Sequence, residues 1–300
     1  MKSGLLILLG AAFCLLTGCI REDRSDCSCD VFLDFLYTGD GQTDIFPDKI
    51  DKVNMYVYSA ADRSLAGEYE LDKAALTEHQ GIHLYLRPGN YRIVCWGNAA
   101  DRTHIHKVYD EAKVAEPVWF KSDEFFTGND ELYFSELEIS VPETLRDVEE
   151  TCNFECSHID MYVQLKGFKG AIGPDGQKAD IVVAHTGLPA YTDFFNVPAQ
   201  NERCEVIPEI NDDPDNEDSY ILKYHVLRFS EQEETAIDIR DLEGNSILDD
   251  GPISVTDFIS NYGVEIDDVQ EASVAIKLTL GPVGVEVADW NIVDVKPGFD

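Results

Sequence analysis

The chain has 300 residues, 44% of them hydrophobic, and its 23 Lys and Arg stand against 58 Asp and Glu for a formal charge of −35. That length leaves room for about two domains with cores of their own. The charge excludes nucleic acid as a partner, because phosphates demand clustered Lys and Arg, and equally excludes a patch that lies on anionic lipid. A surface this acidic keeps copies soluble and apart.

Residues 1–18 carry one charge, Lys2, followed by an apolar run over 5–16. The run is shorter than the roughly 20 residues of a membrane span and fits the h-region of a secretory signal, about 7–15 residues. Leu15-Leu16-Thr17-Gly18-Cys19 is similar to the bacterial lipobox. On that likeness 1–18 is a lipoprotein signal peptide cut between Gly18 and Cys19, and the Cys19 thiol carries palmitate-type acyl chains. Two or three such chains, at about 0.8 kcal/mol per buried CH₂, hold a protein stably on a membrane that it does not cross. Residues 19–30 form an acidic leader with Glu22, Asp23 and Asp26. It serves as a solvated tether and resembles the surface-export signal of Bacteroidetes lipoproteins, and Ile20 does not resemble the Asp that retains lipoproteins at an inner membrane.

Of eight cysteines, Cys14 leaves with the signal and Cys19 is spent on lipid. Cys27, Cys29, Cys95, Cys152, Cys156 and Cys204 face an oxidising compartment in which disulfides persist. Six cysteines allow 15 pairings, so spacing alone names none. The preferred arrangement ties Cys27 or Cys29 to Cys95 and keeps the other three in the second half. Zinc is the weaker reading, since Cys-x-Cys and Cys-x-x-x-Cys occur with no His-x-His ligand spacing beside them.

From Val31 the apolar residues recur with period two, the mark of half-buried strands. Val31, Leu33, Phe35 and Tyr37 form one face, a loop follows over 38–48, and Val53, Met55 and Val57 form the next. Residues 72–78 predict a helical turn or two capped by Asp72. Ile82, Leu84 and Leu86 lead into Arg87-Pro-Gly-Asn90, type II turn chemistry, and Tyr91, Ile93 and Cys95 return, so a hairpin is expected. Residues 101–116 are expected to be partly helical, and strands follow over 118–126 and 132–141. Residues 142–150 are charged and lack strand periodicity, which places the domain boundary there: 31–146 and 147–300. In the second domain Ile159, Met161, Val163 and Leu165 make a strand, with shorter ones over 180–185, 204–207, 220–229 and 236–240. Ser254 with Asp257 fits a capping box and Gly263 a C-terminal stop, so 255–262 is the best helix. Val274 to Leu280 and Val283 to Val287 form a closing hairpin, followed by 290–295. Many short strands joined by turns predict an all-β chain of two β-sandwiches with a few short helices.

Little here points to chemistry. His104 and His106 share a face only in a strand, and no third ligand falls at metal spacing. The stretch 211–218 is acidic but lacks the alternating ligands and central Gly of a calcium loop. Gly173-Pro-Asp-Gly176 is a turn. The chain has no Gly-x-Ser-x-Gly elbow, phosphate loop or zinc-protease helix. No catalytic residue, metal or cofactor is expected. Tyr56, Tyr58, Tyr85 and Trp96 on strand faces favour packing over a sugar platform.

Taken in order, the lipobox ending at Cys19, the leader ending at Cys27, the strand 31–37, Ile50-Asp-Lys-Val-Asn-Met-Tyr-Val-Tyr58 and Leu86-Arg-Pro-Gly-Asn-Tyr-Arg-Ile-Val-Cys-Trp-Gly-Asn98 resemble the FimB-type fimbrial anchor subunits of Bacteroidetes. Asp123-Glu-Phe-Phe-Thr-Gly128 stands where that family has a tyrosine-rich segment; here the aromatics are phenylalanines. The resemblance is close from Cys19 to Val141 and rests beyond that on 159–165 and 276–290. It implies two tandem transthyretin-like β-sandwiches and a non-enzymatic outer-membrane lipoprotein, exposed at the cell surface. The resemblance implies that such a subunit anchors a fimbrium, or pilus, and limits its length, through strand-addition contacts with stalk subunits. The alternative is a surface glycan-binding or adhesive lipoprotein of the same build.

Overall fold

The computed structural model describes residues 28–100, 102–107, 113–114, 126–144, 146–170, 180–281 and 284–290. The first half comprises β1 (Cys29–Leu36), α1 (Phe46–Lys49), β2 (Val53–Ser59), β3 (Leu65–Leu71), α2 (Lys73–Glu78), β4 (Gly81–Leu86), β5 (Gly89–Gly97), β6 (Lys113–Val114), β7 (Tyr133–Val141), β8 (Val148–Asn153) and β9 (Glu155–Cys156). β1 is the middle of a three-stranded sheet, antiparallel to β4 and parallel to β8. A five-stranded antiparallel sheet in the order β3-β2-β5-β7-β9 faces it. The alternation explains the packing: Val31, Leu33 and Phe35 from one sheet and Val53, Met55, Val57, Ile93 and Cys95 from the other share one core.

The second half comprises β10 (His158–Lys166), β11 (Ile181–Pro189), β12 (Thr192–Asp193), β13 (Arg203–Val206), β14 (Asn211–Asp212), β15 (Ser219–Leu227), β16 (Ala236–Asp241), β17 (Ile253–Ser254), α3 (Val255–Tyr262), β18 (Ser273–Gly281) and β19 (Gly284–Asp289). Its sheets run β14-β15-β10-β18-β19 and β13-β11-β16-β17. β10 repeats the part of β1, antiparallel to one neighbour and parallel to the other, β18. Ile159, Met161, Val163 and Leu165 face a second core with Val183, Ile237, Ile239, Phe258 and Ile276. The chain is thus all-β, two β-sandwiches with a few short helices, as the alternation predicts.

Both predicted caps are present. The Asp72 carboxylate accepts from the Ala75 amide, and the Ser254 hydroxyl accepts from Asp257 N–H while Gly263 closes α3 at φ 66°. Several expectations need correction. β4 and β5 are not a hairpin: the Pro88-Gly89 turn carries the chain from one sheet to the other. The end of the stretch 142–150, read as charged and without strand periodicity, opens β8 (Val148–Asn153), whose Glu149 and Glu150 face solvent while Cys152 is buried. The expected loop 38–48 ends in α1, and β3 is an additional, largely exposed edge strand. Lys113 and Val114, expected in a partly helical stretch, pair with β12. The predicted strand 118–126, apart from Phe126, the turn 173–176 and residues 291–295 lie outside the described residues. Among the described residues no helix is long and apolar enough to cross a membrane.

Candidate functional site

Cys19, Gly18 and Cys27 also lie outside the described residues. Cys29, Cys95, Cys152, Cys156 and Cys204 stand as free thiols. The neighbour of the Cys95 thiol is Cys152, across the first core, and burial followed by that contact pushes the Cys95 pKa up. Cys29 instead donates to the Pro142 carbonyl.

The two sandwiches meet over a large aromatic surface. Tyr56, Tyr58, Val94, Trp96 and Phe134 project from the outer face of the β2-β5-β7 sheet and are covered by Phe194 and Phe195, which follow β12. Phe194 lies 5.5 Å from the Tyr56 ring and 5.7 Å from Tyr58, and the Arg92 guanidinium sits 4.1 Å over Phe195. Trp96 is 0% exposed, so of the four aromatics singled out from sequence three are packing residues, and Tyr85, 70% exposed on β4, remains open to a ligand. The run Ile93-Val94-Cys95-Trp96 carries the missed signal, because an unbroken apolar stretch marks a strand buried on both faces.

A polar cluster lines the same junction. On β10 the odd residues enter the core, so His158 and Asp160 point outward, toward the first sandwich. Asp160 is the register partner of His225 on β15. His225 Nδ1 lies 2.7 Å from the Asp160 carboxylate and His158 Nε2 3.4 Å from it. Burial alone raises the Asp160 pKa, but hydrogen bonds and charge from His158 and His225 outweigh it and hold the carboxyl well below its usual range. Burial likewise opposes charge on His158, and Cys156 and Asp160 together reverse that and raise its pKa. His158 Nδ1 is 2.9 Å from the Leu132 carbonyl, and the Asn129 amide donates to the His225 carbonyl at 2.8 Å, so the segment before β7 is tied to β10 and β15. Around it, Glu271 accepts from Tyr37 and Lys49, Asp40 accepts from the Gln270 and Glu271 amides, and Arg228 donates to the carbonyls of Cys156, Ile266, Val269 and Gln270.

The other sequence candidates are placed apart. His104 and His106 stack edge-to-face at 4.5 Å, and among the described residues no third His, Cys, Asp or Glu joins them as a metal cluster. In the acidic stretch, Asp213 turns inward and accepts from Gln164 Nε2 at 2.8 Å and the Asp215 amide at 3.0 Å, while Asp212 pairs with Lys169 at 2.7 Å. Its inward carboxylate is therefore spent on closing the loop.

Among the described residues, one further candidate surface is a strand edge. The edge strand β19 pairs on one side with β18, and its Val285 and Val287 lean on the second core while Glu286 faces out. The Tyr262 hydroxyl, from the end of α3, donates to the Val287 carbonyl at 2.9 Å. Edge strands of this kind are templates on which another chain can add a strand.

The described residues thus form a double β-sandwich whose halves meet at an aromatic junction. A model of the fimbrillin-A associated anchor proteins Mfa1 and Mfa2 matches residues 24–296, and the chain belongs to that family. The fimbrial anchor protein Mfa2 from Porphyromonas gingivalis has the same fold, with a TM-score of 0.64 at 12% identity over 88% of this chain and 98% of that one. A candidate polysaccharide-binding protein from Bacteroides thetaiotaomicron superposes with a TM-score of 0.65 at 14% identity over 89% and 100% of the two chains. A candidate adhesin from Bacteroides ovatus gives 0.65 at 14% over 88% and 94%. Comparison with curated protein sequences found no match. Membership places the chain among fimbria-associated proteins of the cell envelope, in a family that is not an enzyme family.

Proposed function

We propose that this protein is a non-enzymatic outer-membrane lipoprotein, held at the cell surface by acyl chains on Cys19, that anchors a fimbrium and sets its length. The observation that carries the reading is the family match over 24–296, which begins directly behind the lipobox cysteine. Residues 1–18 are removed and 19–30 form the tether. We place the division between the two domains at the Cys156 to His158 link, where the chain leaves the sheet of β9 for that of β10, rather than at 146. Stalk subunits are the partners, and strand addition is assigned to the edge of β19, which among the described residues pairs only with β18 and alternates apolar with acidic side chains.

The test compares cells with and without residues 19–300 by electron microscopy of filaments and by subunits shed into the medium. Long or detached filaments without the protein support anchoring, and unchanged filaments refute it. Cys19→Ala should move the protein out of the membrane fraction; retention there refutes the lipid attachment. The exposed Tyr85 favours a second reading, glycan binding on the β4 face. It predicts saturable polysaccharide binding that Tyr85→Ala abolishes, whereas buried Trp96 no longer serves as a probe.

A further inference from the structure

Three side chains at the junction share an arrangement that strand geometry dictates before any rotamer is chosen. Residues i and i+2 of one strand point to the same face, and the residue directly opposite on the next strand joins them. His158 and Asp160 are such a pair on β10, and His225 is the register partner of Asp160 on β15. Their ligand atoms all lie within 4.8 Å of one another. We propose that His158, Asp160 and His225 bind a divalent metal ion of the zinc class, held by the second sandwich on the face it turns to the first.

Most requirements of such a site are met by residues in place, and the 2.7 Å between His225 Nδ1 and the Asp160 carboxylate is a hydrogen bond that has to open as an ion enters. Two imidazoles and one carboxylate form a donor set that suits zinc, with a further position left to water. The 3.4 Å between His158 Nε2 and the Asp160 oxygen is close to the separation of two ligands on a tetrahedral ion whose bonds are about 2.0–2.2 Å long. His158 Nδ1 donates to the Leu132 carbonyl at 2.9 Å, which fixes the tautomer that leaves Nε2 as a lone-pair donor. This backbone partner is the outer-shell support that metal-bound imidazoles ordinarily have. His158 is buried, whereas Asp160 and His225 keep about a quarter of their side-chain surface, so an ion has a path inward. Leu132 belongs to the segment entering β7, so the support of one ligand comes from the first sandwich and all three ligands from the second.

The test uses the full-length chain in detergent, stripped with chelator and then titrated with zinc in excess magnesium and calcium, which saturate the many surface carboxylates. One zinc ion per chain should bind and raise the thermal midpoint. His225→Gln and the nearly isosteric Asp160→Asn should each weaken binding by roughly tenfold or more, with circular dichroism unchanged. Asp212→Asn, in the acidic loop, should leave it intact. Cobalt in place of zinc should give the visible absorption of a four-coordinate ion, lost in both junction variants. Absence of stoichiometric zinc, or zinc that survives both junction substitutions, would overturn the proposal.

Discussion

Phe194 gives the most direct measure of how firmly the two sandwiches are joined. Its ring is 1% exposed and lies against Tyr56 and Tyr58 of the opposite sandwich. An aromatic side chain withdraws roughly 150–250 Å² from water at about 25 cal/mol per Å², or about 4–6 kcal/mol as an upper bound. A compact unfolded chain trims this by about 10–40%, and alanine keeps a small part. The two ring pairs add about 0.5–1.5 kcal/mol each. Phe194→Ala should therefore cost about 3–5 kcal/mol, the range for phenylalanine truncation in a core. Urea denaturation reports it, because Trp96 sits in the same cluster and its fluorescence follows the junction. With a slope of about 2–3 kcal/mol per molar, the midpoint of the junction transition should fall by roughly 1–2 M. Phe194→Leu should recover more than half of the loss. A cost under about 1 kcal/mol would refute the reasoning, because it would mean that the loop rests on the sheet without filling it.

Ser254→Ala removes the cap of α3 and should lower stability by about 1 kcal/mol in the same assay, with Ser254→Gly costing less. Gly187→Ala should cost about 2 kcal/mol or more, since φ is +80° there and a Cβ would stand 2.3 Å from the Glu234 carbonyl oxygen at the bulge of β11. His185 is fully buried against Tyr224, and burial lowers its pKa from 6.5 to about 3. Between those values the unfolded chain binds the proton and the folded chain does not, so stability should fall as pH drops from 6.5 toward 3. His185→Gln should flatten that slope, which urea midpoints at pH 7 and pH 5 would reveal; an unchanged slope would refute it.

Much of the fold is legible because its determinants are local. Asp72, Ser254 and Gly263 announce their helix ends within a few residues, and β10 and β18 alternate cleanly because one face of each is core. The exceptions share a cause, which is that partnership is a long-range property. β8 reads as a charged linker because two glutamates face water, and its membership of the first sheet depends on β1, more than a hundred residues earlier. The turn at Pro88-Gly89 fits a hairpin as well as a crossing, since both strands present alternating apolar residues either way. The junction was the least legible part. His158 and Asp160 sit two apart, but His225 arrives from another strand, and only the β10 to β15 register brings it opposite. Phe194 looks like a loop residue because the sheet it covers belongs to the other half of the chain.

The placement of β1 has a mechanical consequence. A pull applied through the residues that precede Cys29 runs along the axis of β1, which is held by six register pairs to β4 on one side and six to β8 on the other. Hydrogen bonds perpendicular to such a load are sheared together, so all must yield at once. A terminal hairpin pulled apart at its two ends would instead unzip one bond at a time. Survival under tension is governed by the rate of unfolding rather than by equilibrium stability. On the proposed attachment through Cys19, β1 is thus in the position where a steady drag on the molecule meets high resistance.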